Sequence, residues 1–342
     1  MIQGADSASG VTVASCGCLS PPRRVCDLCG ETPVLACSAA CLKRHQSDAH
    51  SRVLESASRA LGHQVGVNRN FQQNWRQYAG HRERLMSLLA AAGAGQGRDI
   101  CILGAGNCND LDTERLATEF SGIHLVDIDP EALERGRESF PASRRDAVAL
   151  HPNIDLSGFI DRLDEWGDRF PDDRELGRAA LEAIQKIVNQ IGCRSDVVLS
   201  TCVLSQLPIP YRRTWVTSAS NWKRLHDAIT AVHLATLAAT VRPGGHGVMA
   251  FDLFGSRRAP GLLGLDQDDG EAIQAFVEEQ VGAGEIKLDW DPAAILARLK
   301  SSSLSSLVES PRLTLPWLWN TGDTLVVYGL LFQRPATRSS SK

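Results

Sequence analysis

The sequence predicts an α/β protein: a sheet of mainly parallel strands that ends in an antiparallel hairpin, preceded by helices and by a small cysteine-rich segment. Three observations carry this expectation. Residues 96–335 alternate apolar runs with segments of helical period, the pattern of a sheet covered by helices. Two extended runs at about 306–318 and 324–333 ("TLVVYGLLFQ") flank "NTGD", a hairpin turn signal. Six of the ten cysteines crowd into residues 16–41.

Within the first pattern, strands are expected at about 99–103 ("ICILG"), 123–127 ("IHLVD"), 146–150, 196–200 ("DVVLS") and 246–252 ("HGVMAFD"). Helices are expected between them, near 111–120, 130–138, 173–191 and 222–241. The chain divides into a cysteine-rich segment at 1–52, a helical cap at 53–95, the α/β domain at 96–335 and a disordered tail at 336–342.

Bulk properties narrow the function. A length of 342 residues suits one large core with an appendage. Lys plus Arg is 36 and Asp plus Glu 40, a net charge of -4, which argues against wholesale nucleic-acid binding. The first 20 residues lack a basic start followed by an apolar core. No apolar run approaches the roughly 20 residues that cross a bilayer, and the longest, "AITAVHLATLAATV", carries His and Thr and reads as a buried helix. A cytoplasmic protein without membrane contact is the expectation. In that compartment clustered cysteines are metal ligands, whereas an extracellular origin would make them a disulfide framework.

The stretch "ICILGAGNCND" at 100–110 is a buried strand that turns sharply. Gly104 and Gly106 lack Cβ, so the turn can be tight and a ligand can approach the backbone. The helix beginning near "NDLD" offers free N–H groups and a positive dipole end. Asp127, 21 residues after Gly106 in "IHLVDIDPEAL", ends the second strand, where an acid can accept from both hydroxyls of a ribose. This pattern suits NAD, FAD or S-adenosylmethionine, with an ordinary strand-to-helix turn as the alternative. The third glycine of a dinucleotide motif would fall at Asn109 and is missing. Adenosylmethionine has no pyrophosphate and asks less of the turn.

"ICILGAGNCND", "HLVDIDPEAL", "SDVVLSTCVLSQL" and "TVRPGGHGVMAFD" resemble, in order and spacing, the main motifs of class I S-adenosylmethionine-dependent methyltransferases over about residues 96–335. The most specific part is "VRPGG" ending a helix, combined with the terminal hairpin. The resemblance implies a Rossmann-like methyltransferase sheet with S-adenosylmethionine as cofactor. It would place Gly104 and Gly106 at the methionine part and Asp127 at the ribose, with Ala105, Asn107 and Ile128 also among the cofactor-binding residues. Asp155 in "HPNID" would meet the adenine amino group, and Thr201 would flank the cofactor at the end of the fourth strand. Cys108 stands where the family often has glycine.

The helical cap adds a candidate. In "FQQNWRQYAGHRERLMSLL", Phe71, Trp75, Tyr78, Leu85 and Leu89 share a helical face with Arg82. Arg82 could pair bidentately with the cofactor's carboxylate, or lay its stem on the surface with its head in water. Tyr78 and His81 could line the same mouth, with core packing the default for Tyr78.

Methyl transfer needs alignment more than a fixed catalytic motif, and a base when the acceptor is a hydroxyl or an ammonium. "STCVLSQLPIPY" lies at the carboxyl ends of the strands. It makes Ser200, Thr201, Cys202, Ser205, Gln206 and Tyr211 candidates to face the pocket. Thr201, Cys202, Tyr211 and His226 are the catalytic candidates. The segment lacks the (N/D)PPY pattern of many enzymes that methylate amino groups of bases and glutamine. His233 reads as a satisfied core histidine. Trp317 and Trp319, two apart, share one face of a strand. The methyl acceptor is unidentified, with a small molecule favoured.

The cysteine-rich segment runs Cys16-x-Cys18, Cys26-x2-Cys29, Cys37-x3-Cys41-x3-His45-x4-His50. Eight N/S donors suffice for two tetrahedral zinc ions, with a single zinc on a subset as the alternative. Interleaved ligation would join Cys16 and Cys18 to Cys37 and Cys41, and Cys26 and Cys29 to His45 and His50. So small a segment has little core, and zinc would supply its folding energy. "CDLCGETPVLACSAACLKRHQSDAH" resembles the second half of MYND-type and HIT-type zinc fingers, although C-x-C replaces C-x2-C in the first pair. That resemblance implies structural zinc and a module that docks a protein partner or substrate. Two further readings stay open: an inactive methyltransferase-like scaffold, and an NAD-dependent oxidoreductase.

Overall fold

The computed structural model describes residues 12–13, 24–26, 34–36, 56–70, 74–93, 98–166, 169–214 and 218–336. Three short strands come first: β1 (Thr12–Val13), β2 (Arg24–Cys26) and β3 (Val34–Ala36). β3 is central, parallel to β1 and antiparallel to β2. Of the eight expected zinc ligands only Cys26, the last residue of β2, falls among the described residues. Cys16, Cys18, Cys29, Cys37, Cys41, His45 and His50 lie outside them, as does Phe71.

Two helices follow, α1 (Ser56–Asn70) and α2 (Ala79–Ala91), with a 3-10 turn at Asn74–Tyr78 leading into the second. The main sheet then forms from β4 (Arg98–Leu103), β5 (Phe120–Val126), β6 (Val148–His151), β7 (Ser195–Thr201) and β8 (Val241–Gly255). It closes with β9 (Glu309–Leu313), β10 (Trp317–Asn320) and β11 (Thr324–Gln333). Spatial order is β10-β11-β8-β7-β4-β5-β6, with β9 also on β11. β4 to β8 are parallel; β11 runs antiparallel to β8 and to β10. This is the expected Rossmann-like sheet of parallel strands with a terminal antiparallel hairpin.

The helices that cover it are α3 (Thr113–Glu119), α4 (Pro130–Glu138), α5 (Arg162–Trp166), α6 (Asp173–Ile191), α7 (Ile209–Thr214), α8 (Ala219–Thr240), α9 (Gly270–Gly282) and α10 (Pro292–Leu299). Asp112, Asp129, Asp172, Asp269 and Asp291 each cap a helix by accepting from a backbone N–H of its first turn. Among the described residues no helix is long and apolar enough to cross a membrane.

Side chains alternate across the strands. Cys101, Leu103, Val126 and Val198 pack on one face with α6 and α8, through residues such as Ile187 and Ile229. Ile100, Ile102, Ile123 and Leu199 pack on the other with Leu85, Leu116 and Leu133 of α2, α3 and α4. With both faces covered, the central strands are nearly all apolar, as buried parallel strands must be.

Two expectations need correction in detail. The extended run at 306–318 is two strands: Leu313 pairs with Leu330 and Trp317 with Val327, with Thr314–Pro316 between them, where the Thr314 N–H still donates to the Gly329 carbonyl. Pro316 lacks the N–H that a continuous ladder would use. The "VRPGG" segment, expected to end a helix, is the start of β8, a 15-residue strand that follows the helix directly. Gly244 takes φ +80 there.

Candidate functional site

The carboxyl ends of β4, β5, β7 and β8 open into a cavity of about 670 Å³, the place where open α/β sheets bind ligands. Gly104 and Gly106 turn away from β4 at φ +74 and +47. A Cβ on Gly104 would lie 2.6 Å from Cγ2 of Val203, so both the conformation and the space demand glycine. The turn is anchored to β5, because the N–H groups of Gly104 and Ala105 both donate to the Val126 carbonyl, at 2.9 and 3.1 Å.

Cys108 adopts φ +58, the left-handed region that glycine favours. Its buried Sγ packs on α4 at Gly136, where a Cβ would come within 2.7 Å of that sulfur and 3.2 Å of the Gly106 carbonyl oxygen. The close approach of turn and helix is thus secured by a glycine in the helix, and Asn109 takes the place of the third glycine in the turn.

Asp127 is buried at the end of β5. Its Oδ2 accepts from the Gly106 N–H at 2.9 Å, and Oδ1 accepts from the Asp129 N–H at 2.9 Å. The Asn68 amide of α1 donates to Asp127 Oδ1 at 3.4 Å and to Asp129 Oδ2 at 3.3 Å. Burial pushes the Asp127 carboxyl up, while the Asp129 and Gly106 N–H groups hold it down. A carboxylate has about four acceptor sites, so capacity for a ligand hydroxyl remains.

The cavity gathers Gly104, Ala105, Gly106, Asn107, Asp127, Ile128, Asp155 and Thr201, all expected from the sequence. Asp155 is tied locally: Oδ1 accepts from the N–H of Ser157 at 2.9 Å and from its hydroxyl, and Oδ2 from the Ile160 N–H at 2.9 Å.

Arg82 is not brought to the cavity. Its guanidinium lies 3.8 Å over the Trp75 ring and donates to the carbonyls of Trp75 and of Asn109, the latter at 3.0 Å. It braces the glycine turn from outside. Tyr211 is buried among apolar residues, and its hydroxyl is hydrogen-bonded to that of Ser157. Burial pushes it well up, so it stays a neutral phenol that steadies the Asp155 loop. Cys202 lines the cavity at φ +45, but burial raises its thiol well above the usual range, which leaves no thiolate to act as nucleophile. Ser200 turns from the cavity to His233, its Oγ 2.8 Å from Nε2. His226 sits behind the wall, its ring 4.5 Å from that of Trp290, and burial lowers its pKa.

Sequence reasoning passed over several groups that belong here. Asn68 and Gln64 come from α1; the Gln64 amide donates to the Gln206 carbonyl at 3.3 Å. Asp110 and Asp252 line the cavity, and burial pushes each carboxyl up to about 6. The Thr201 hydroxyl and the Arg82 charge oppose the shift at Asp110; the Ser205 Oγ, donating to Asp252 at 2.6 Å, opposes it at Asp252. Both acids end or follow a strand at its carboxyl edge, the position that could have marked them in advance.

Trp222, Trp290 and Trp319 complete an aromatic side. Trp319 and Trp317 share a strand face, as expected, and they hold His81. The Trp319 ring stacks on the imidazole at 4.2 Å, and the Trp317 indole donates to Nδ1 at 3.1 Å.

No family model matches the chain, and no curated protein matches it. Among solved structures, magnesium protoporphyrin IX methyltransferase from Synechocystis PCC 6803 with bound S-adenosylhomocysteine is 14% identical at a TM-score of 0.41, covering 79% of this chain and 99% of its own. The N-methyltransferase NodS from Bradyrhizobium japonicum in complex with S-adenosylhomocysteine is 13% identical at 0.39, covering 80% and 98%. A TehB-like methyltransferase from Corynebacterium glutamicum is 14% identical at 0.37, covering 79% and 98%.

Proposed function

We propose that this cavity binds S-adenosylmethionine and that the chain is a methyltransferase for a small-molecule acceptor. The observation that carries the reading is the charge and shape of the glycine turn. Gly104 and Gly106 open a backbone cradle clasped by Asp127, and the same cavity holds Asp110, Asp155, Asp252 and Asp289. Among the described lining residues there is no Lys, Arg or His. A pyrophosphate would enter against five carboxyl groups, whereas a sulfonium and an ammonium would be attracted by them. The electrostatics therefore favour adenosylmethionine over NAD or FAD.

In this reading Gly104, Ala105, Gly106 and Asn107 receive the methionine part, with Thr201 and Asp110 beside the cationic end. Asp127 and Ile128 meet the ribose, and Asp155 the adenine edge. Arg82, engaged with the Trp75 and Asn109 carbonyls, takes no part in holding the cofactor. The chain's work is to align the acceptor with the methyl group and to exclude water. Residues 1–52 form a finger with two structural zinc ions that docks a protein partner or substrate, 53–95 cap the pocket, 96–335 are the methyltransferase domain, and 336–342 are a tail.

The test is calorimetric titration of the zinc-loaded full chain with S-adenosylhomocysteine and, separately, NADH. Micromolar binding of the first alone supports the reading. Binding of NADH alone, or of neither, overturns it, and the second outcome favours the inactive scaffold.

A further inference from the structure

The cofactor, as proposed, spans the cavity from the glycine turn toward β5 and β6, on one side of β4. The cavity continues to the other side, past β7 to β8, and its chemistry changes there. Asp252 stands at the end of β8 beside Ser205; Asp289 lies at the exposed rim; the indoles of Trp222 and Trp290 form walls. Among the described residues neither Asp252 nor Asp289 forms an ion pair. Trp290 is 8% exposed, and its indole N–H is buried without a hydrogen-bond partner.

Each part constrains what can bind there. A partly buried carboxylate without a cationic neighbour is stabilised by a ligand cation. Indole faces attract such a cation through the ring quadrupole. An anionic acceptor would meet like charge, and a purely apolar one would leave Asp252 unmatched.

We propose that the methyl acceptor is a primary or secondary amine, held as its ammonium ion at Asp252 among Trp222 and Trp290, with Asp289 at the entrance. The proposal rests on the cofactor reading above. The ammonium gives one proton to the Asp252 carboxylate, which passes it to solvent. The freed nitrogen lone pair attacks the methyl carbon, and the C–S bond breaks with its electron pair going to sulfur. The products are an N-methylammonium ion and the neutral thioether S-adenosylhomocysteine. Asp252, lying at a strand end with its carboxyl pushed up to about 6, is matched to taking a proton near neutral pH.

The experiment uses the full chain saturated with S-adenosylhomocysteine and matched sets of small molecules on a common skeleton. One set is tyramine, tyrosol and 3-(4-hydroxyphenyl)propanoate; a second is 4-aminobutanol, 1,4-butanediol and 4-hydroxybutanoate. Calorimetry should show at least one ammonium compound binding about tenfold more tightly than its alcohol and carboxylate partners. Asp252→Asn should abolish that preference while S-adenosylhomocysteine affinity stays within about twofold. Trp290→Leu should weaken the amine without reversing the order. If no ammonium compound binds the loaded chain, if the alcohol or carboxylate binds as well, or if Asp252→Asn leaves the preference intact, the acceptor proposal is wrong and the cofactor reading stands. If S-adenosylhomocysteine itself fails to bind, both fall.

Discussion

Cys108 shows how one residue can hold strain and usefulness together. A left-handed conformation costs a non-glycine residue about 1–2 kcal/mol, and here it lets a buried sulfur seat against Gly136 and brings the turn onto α4. Gly136→Ala should therefore destabilise the chain by about 1–3 kcal/mol by overpacking, against the gain of up to about 1 kcal/mol that alanine gives a helix. Combining it with Cys108→Ala should restore part of the loss in urea unfolding; equal stability of Gly136→Ala and the native chain would sink the argument. The acid beside the turn supplies a second prediction. Asp110, its carboxyl pushed up to about 6, ionises between pH 5 and 7. S-adenosylmethionine and its homocysteine product differ by the sulfonium charge. The ratio of their affinities should rise about three- to tenfold over that interval, and a flat ratio would remove Asp110 from the cationic end.

At the scale of elements, α1 shapes the pocket from outside the sheet. Its Asn68 spans Asp127 and Asp129, and its carbonyl accepts from the Asn107 amide at 2.6 Å. Asn68→Asp would set a third carboxylate against two others. It should lower stability by about 1–2 kcal/mol at pH 7 and by less at pH 4, because burial holds the Asp127 carboxyl above its usual range. Thermal melts at the two pH values decide it. The contribution of α1 was hidden in the sequence because its pocket contacts are polar and long-range, whereas pattern reading follows apolar periodicity. β4 to β8 were legible for the opposite reason: both faces are buried, so the strands read as apolar runs between turn signals. α9 and α10 carry readable caps in Asp269 and "DP" at Asp291, and they interrupt the expected passage from β8 to the hairpin. Arg82 shared a stripe with apolar residues, which marked it as buried. Its partner, the Asn109 carbonyl, is a backbone atom that no side-chain pattern announces.

For the whole molecule, α2 is fastened to the hairpin by His81 between Trp317 and Trp319. Burial lowers the His81 imidazole to about 3, and that of His233 to about 4. Both are neutral when folded but take a proton below pH 6.5 when unfolded. Their stabilisation is complete above pH 6.5 and lost as pH falls toward those values, at up to about 1.4 kcal/mol per pH unit for each group. Asp110 and Asp252 act oppositely, because their raised carboxyls bind protons more readily in the folded state and gain stability as pH falls through 6. His81→Phe should flatten the acid loss between pH 6 and 4, and Asp252→Asn should steepen it, as read from urea midpoints at each pH.

The same hairpin sets a timetable. β11 lies between β8 and the β9–β10 edge, yet roughly seventy residues separate the end of β8 from its start. During translation at about 5–20 residues per second, the long apolar edge of β8 waits several seconds for its neighbour. A nascent chain stalled inside α9 or α10 would carry an open, sticky strand. Ribosome pausing in that interval, rather than any fault in the finished protein, would then be the moment of greatest danger for aggregation.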